Sequence, residues 1–148
     1  MSGEPLTNTA IEKLRAGIQE FNGNDQPPPP DEWPFTADSW FEDLRPGSPM
    51  HGFGRLGRAE LIEATAALWD LGSGRPQRSV GDVVAVSGDA CAASVESIDS
   101  GDGIVLTHIN CVMLDETLQL VSRMARFDVD ARDDATALVE QWHSENAG

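Results

Sequence analysis

From residue 78 onward the sequence runs with a period of two. The stretches "RSVGDVVAV" (78–86), "ACAASVESI" (90–98), "IVLTHINCVML" (104–114) and "LQLVSRMARF" (118–127) are separated only by "SGD", "DSGDG" and "DET". Alternation sends successive side chains to opposite faces, and connections this short join antiparallel neighbours. The block therefore predicts an antiparallel meander. A sheet of this size needs a layer of helices over its apolar surface.

The remaining residues supply candidates for that layer. Ile11, Leu14, Ile18 and Phe21 recur at helical spacing over residues 7–22, with Thr7 or Asn8 as cap and Asn22-Gly23 as stop. A second helix is expected over 58–71, with Leu61, Ile62, Thr65, Leu68 and Trp69 as its apolar stripe. A third, over 133–143, presents Ala135, Leu138, Val139 and Trp142. Between the first two, residues 35–44 read as a strand, and "RPGSPMHGFGRLG" (45–57) reads as a loop. Residues 24–34 contain four consecutive prolines, which fit neither helix nor sheet interior, so they form an extended connector or a ligand for a proline-reading domain. With 148 residues, the chain is read as a single domain, 1–148, of the α+β class: a cone-shaped, curved antiparallel sheet wrapped around helices.

Charge excludes several functions. The formal net charge is -15 and the one lysine is Lys13. No nucleic-acid partner is expected, because phosphate binding needs clustered cations. No membrane partner is expected either: there is no basic patch for anionic lipid, no apolar run of spanning length and no apolar segment after Met1. The chain is expected in the cytoplasm. Cys91 and Cys111 sit in apolar surroundings without CxxC spacing and read as reduced core residues. The acidic run "DVDARDD" lacks the glycine and closing glutamate of a calcium loop and reads as a helix start. No metal site and no cofactor is expected.

The order of elements, together with "FTADSWFEDLRPGSP", "GRLGRAELIEA" and "MLDETLQLVSRMARFD", resembles the SnoaL-like group of the nuclear transport factor two-like superfamily. That superfamily includes ketosteroid isomerase, small epoxide hydrolases and polyketide cyclases. The likeness runs from about residue 8 to residue 128. It implies a cystatin-like α+β barrel, an apolar small-molecule ligand and a homodimer. A looser likeness, through "DLRPGSP" and "FDVDARDDATALVEQW", is to SnoaL-like domains appended to bacterial signalling and cyclase-type polypeptides.

The resemblance places Asp43 where ketosteroid isomerase keeps its general base, and Asn110 where that enzyme keeps a protonated aspartate facing the developing enolate. An asparagine amide also donates to an oxyanion. Alternation puts His108 on the same face as Asn110, where it is a candidate proton carrier. Phe41, Trp40, Met124, Arg126 and Phe53 are the candidate substrate-binding residues, Phe53 with Met50 and His51 in a loop able to act as a lid. A buried Arg126 would require a carboxylate or an anionic ligand. Each residue also has a structural reading: Asp43 solvated or paired with Arg45 or Arg55, Asn110 and His108 as hydrogen-bonding supports, Arg126 in solvent, Trp40 and Trp69 in the core.

Three features depart from the characterised enzymes. The chain has no tyrosine for a ketosteroid-isomerase oxyanion hole. Arg126 stands where the cyclases keep an acid. Asp43 has no matched second acid of the epoxide-hydrolase kind, Glu60 and Glu63 being near it only in sequence. Two functions are therefore expected: a cofactor-independent acid–base enzyme on an apolar carbonyl or epoxide, or a non-catalytic binding or dimerisation module.

Overall fold

The computed structural model describes residues 7–23, 35–45, 54–66, 77–99 and 105–147. Their elements are α1 (Thr9–Gly23), β1 (Phe35–Asp43), β2 (Arg55–Gly57), α2 (Arg58–Ala66), β3 (Gln77–Ser87), β4 (Cys91–Asp99), β5 (Val105–Leu114), β6 (Val121–Phe127) and α3 (Arg132–Ala147). The strands form one open six-stranded sheet in the order β2-β1-β6-β5-β4-β3.

The meander appears where alternation puts it, with β3–β4, β4–β5 and β5–β6 all antiparallel. The sheet as a whole is mixed, a correction to the antiparallel expectation, because β1 lies parallel to β6. The long separation of these strands in sequence permits the parallel pairing that a short turn forbids. β2 lies inside the expected loop, held by antiparallel pairing with β1 through Trp40, Phe41 and Glu42. β6 begins at Val121 rather than at 118, because the Asp115 carboxylate shapes the preceding turn. Its Oδ1 accepts from Thr117 Oγ1 at 2.8 Å and from the Gln119 and Leu120 amides at 3.2 Å. Leu118 is left-handed there, at φ 60°.

The two faces of the sheet carry separate cores. On the inner face, Ala10 and Ile11 of α1 and Leu61 of α2 pack with Phe41, Ala92, Val112, Leu114 and Met124. Asn8 fixes the entry of α1: its Oδ1 accepts from the Ile11 amide at 3.0 Å, and its Nδ2 donates to the Gly88 and Cys91 carbonyls at 3.0 and 2.9 Å. On the outer face, Ala135, Val139 and Trp142 of α3 cover Cys91, Ala93, Ile109, Cys111, Met113 and Ala125. Both cysteines are free and buried, and burial pushes the Cys91 thiol up to about 11 and that of Cys111 up to about 12. No described helix is long and apolar enough to cross a membrane.

The expected connector 24–34, the lid residues Met50, His51 and Phe53, and the far end of the second expected helix, including Trp69, lie outside the described residues.

Candidate functional site

Register draws one polar row across the inner face. Asp43 of β1 pairs with Arg126 of β6, Arg126 with Asn110 of β5, and Asn110 with Ser94 of β4. Two residues further along, Glu96 pairs with His108. Residues two apart on a strand share a face. The row therefore lies on the same side as Phe41, Met124, Val112 and Ala92, which form the neighbouring apolar row. Asp43, Ser94, Glu96, His108 and Asn110 are all buried.

Some of these groups are tightly partnered. Arg45 clamps Asp43 with Nη2 to Oδ2 at 2.7 Å and Nε to Oδ1 at 2.9 Å, and the Arg45 amide reaches Oδ1 at 3.1 Å. Glu96 accepts from Arg78 Nη2 through one oxygen. Its other oxygen lies 2.8 Å from His108 Nε2 and 3.9 Å from Arg126 Nη2.

Other atoms of this face have no hydrogen-bond partner among the described residues. His108 Nδ1, both polar atoms of the Asn110 amide, the hydroxyls of Ser39 and Ser94, and Arg126 Nε are buried without a hydrogen bond. Each such atom in a filled core costs about 1–3 kcal/mol. Buried polar groups are otherwise almost always paired. Here several unpaired ones gather beside an apolar row.

Of the residues expected to form the site, Asp43, His108, Asn110, Phe41, Met124 and Arg126 come together on this face. Trp40 does not. As the immediate neighbour of Phe41 it points to the outer face, where Trp142 meets it edge-on at 5.8 Å and the Arg55 guanidinium lies 4.0 Å over its ring. Trp40 there borders a hollow of about 320 Å³ between β1, β6 and α3, lined also by Leu44, Arg123 and Leu138. Phe53 is outside the described residues.

No family model matches the sequence, and no curated protein does. Solved structures do match. A protein of unknown function with cystatin-like fold from Methylobium petroleophilum superimposes with a TM-score of 0.60 at 16% identity, covering 85% of this chain and 80% of the other. The Δ5-3-ketosteroid isomerase of a Mycobacterium species superimposes at 0.58 with 14% identity, covering 84% and 97%. The fold is cystatin-like. A Mycobacterium tuberculosis protein in complex with estradiol-17β-hemisuccinate superimposes at 0.58 with 13% identity, again covering 84% and 97%.

Within this cystatin-like fold, the electrostatics of the row decide which group is basic. Burial opposes the charge on Glu96 and is the largest single influence. Arg78, the hydrogen bond from His108 and then Arg126 together outweigh it and hold Glu96 well below the usual carboxylate range. For His108 burial comes first and wins. Glu96 pulls the imidazole up and Arg126 pushes it down, leaving it below its ordinary value and neutral at pH 7. An ionised carboxylate only accepts, so His108 Nε2 carries the proton and Nδ1 keeps a bare lone pair. Burial also lowers Arg126, to about 10, still charged at neutral pH. Among the described residues no three His, Cys, Asp or Glu side chains converge as metal ligands.

Glu96 is the group that sequence reasoning missed. Its signal was the hairpin between 90–98 and 104–114. Antiparallel pairing of these two stretches in a register whose residue numbers sum to 204 sets Glu96 across from His108 and Ser94 across from Asn110.

Proposed function

We propose that the chain binds an apolar small molecule on the inner face and acts on it by cofactor-independent acid–base chemistry, with a carbonyl or epoxide as the reacting group. The observation that carries this reading is the unpartnered His108 Nδ1, backed through Nε2 by the buried Glu96 carboxylate. A base held in one tautomer by a carboxylate, with its other nitrogen facing the ligand, is the arrangement general-base catalysis requires. The Asn110 amide, two residues along the strand, supplies a donor for an oxyanion. Asp43 enters this scheme as a positioning residue. Both its oxygens accept from Arg45, which leaves them engaged while His108 Nδ1 has no hydrogen bond. Phe41, Met124 and Val112, packed with Ala10, Ile11 and Leu61, form the apolar wall beside this row. A solved protein of this fold holds an estradiol ester and another is a ketosteroid isomerase, which supports an apolar ligand of that size.

The test uses deuterium. A panel of cyclic ketones and epoxides is incubated with the protein in heavy water and followed by mass spectrometry for exchange at the carbon next to the carbonyl, or for diol formation. The expected result is turnover by wild type that falls about 100-fold or more in His108→Gln, the usual range for loss of a general base. Binding without exchange or hydrolysis in any compound would leave the second reading, a non-catalytic binding module. The clamp of Arg45 on Asp43 favours that reading, since it occupies the acid that the family resemblance makes the base.

A further inference from the structure

Arg126 is built into the middle of the polar row with its hydrogen-bonding capacity unmet. Its Nε is buried and unpartnered. Its carboxylate neighbour is Glu96 at 3.9 Å, beyond hydrogen-bonding length. Glu96 is already engaged by Arg78 and His108, and Asp43, in register on the next strand, by Arg45. On one side of the guanidinium lies the Phe41 ring, 5.1 Å from its central carbon. On the other strand in register is Asn110, with neither amide atom satisfied.

A guanidinium whose side chain is only 16% exposed is expensive to hold without hydrogen bonds to an anion. We infer that Arg126 and Asn110 anchor a carboxylate at one end of the ligand, and that the chain's ligands are apolar carboxylic acids. Arg126 offers a planar fork that matches a carboxylate, and Asn110 Nδ2 adds a third donor. The inference rests on the inner-face binding reading and narrows it.

The experiment is calorimetry at pH 7 with matched pairs: octanoate against octanol, and 2-naphthylacetate against 2-(2-naphthyl)ethanol. Wild type is expected to bind at least one acid tenfold or more tightly than its alcohol, the scale of a charge-assisted hydrogen bond. Arg126→Gln is expected to remove that preference and leave the alcohol within about twofold. Arg126→Lys, which keeps the charge without the fork, should fall between. Should the variants not fold, the wild-type Arg126 Nε–H resonance serves as a second readout: it shifts with the acid and stays in place with the alcohol. Alcohols binding as tightly as acids would overturn the inference and leave inner-face binding standing. An acid preference that survives in Arg126→Gln would overturn the assigned anchor. Wild type binding neither member of either pair would overturn the binding reading itself, and the inference with it.

Discussion

Replacing Glu96 with glutamine should destabilise the fold by about 3 kcal/mol, the lower end of the range for breaking a buried ion pair. Glu96 is completely buried and serves Arg78, His108 and the more distant Arg126. Glutamine keeps the volume and one acceptor, so one of the two hydrogen bonds survives. What it removes is the charge opposite two arginines whose side chains are each 16% exposed. A hydrogen bond to a charged group contributes about 1.5–3 kcal/mol, and one such loss plus the residual repulsion between the arginines gives the figure. With a urea slope near 2 kcal/mol per molar, the unfolding midpoint should fall by about 1.5 M. Glu42→Gln is the control: its ion pair with Arg55, at 3.5 Å, has an arginine side chain 63% exposed and should contribute about 0.5 kcal/mol or less. The difference between wild type and Glu96→Gln should hold steady above pH 5 and narrow below about pH 4.5. There the unfolded carboxylate takes up protons that the folded one, held at a lower value, refuses. A loss under 1 kcal/mol, equal to that of the control, would refute the claim that a buried charge network organises the inner face.

Acid should destabilise the protein in a second, earlier step. The folded His108 imidazole is depressed, so below the ordinary value of about 6.5 the unfolded state binds a proton that the native state does not. Stability is therefore complete above pH 7 and falls by up to about 1.4 kcal/mol per unit as pH drops below 6.5, a slope that His108→Gln abolishes in urea titrations. Gly88→Ala should cost about 1–2 kcal/mol by thermal melt, since Gly88 is left-handed at φ 58° and a Cβ there would lie 2.7 Å from the His143 ring. Asn8→Ala should cost about 1–2 kcal/mol in the same assay, losing the α1 cap and both bonds to the β3–β4 turn. Cys91 and Cys111, buried and raised, should resist a thiol reagent at pH 8 in native protein and react at once in urea.

The sequence revealed the elements more fully than their arrangement. Strand-like runs separated by short turn stretches from 78 to 127 carried the meander, because both signals are local. β2 was invisible because Arg55–Gly57 has no pattern of its own and exists through pairing with β1. The parallel β1–β6 contact was equally hidden, since nothing local records which distant strand lies alongside. α3 runs past residue 143, where Glu145 reaches back to Arg123 at 2.7 Å, a polar contact that an apolar stripe does not signal. At the site, alternation alone brought His108 and Asn110 to one face, whereas Trp40 and Phe41, being adjacent, were bound to part. Glu96 went unread because a lone acid in a strand looks like a solvated residue until its partner across the hairpin is counted.

The measurement that bears most directly on the inner-face site is the nitrogen NMR signature of His108, assigned against His108→Gln, at pH 7 and with each binding ligand from the calorimetry. A neutral ring protonated at Nε2, whose Nδ1 resonance moves when ligand is added, is the result the account predicts. A ring that is doubly protonated, carries its proton on Nδ1, or is unmoved by every bound ligand would contradict it.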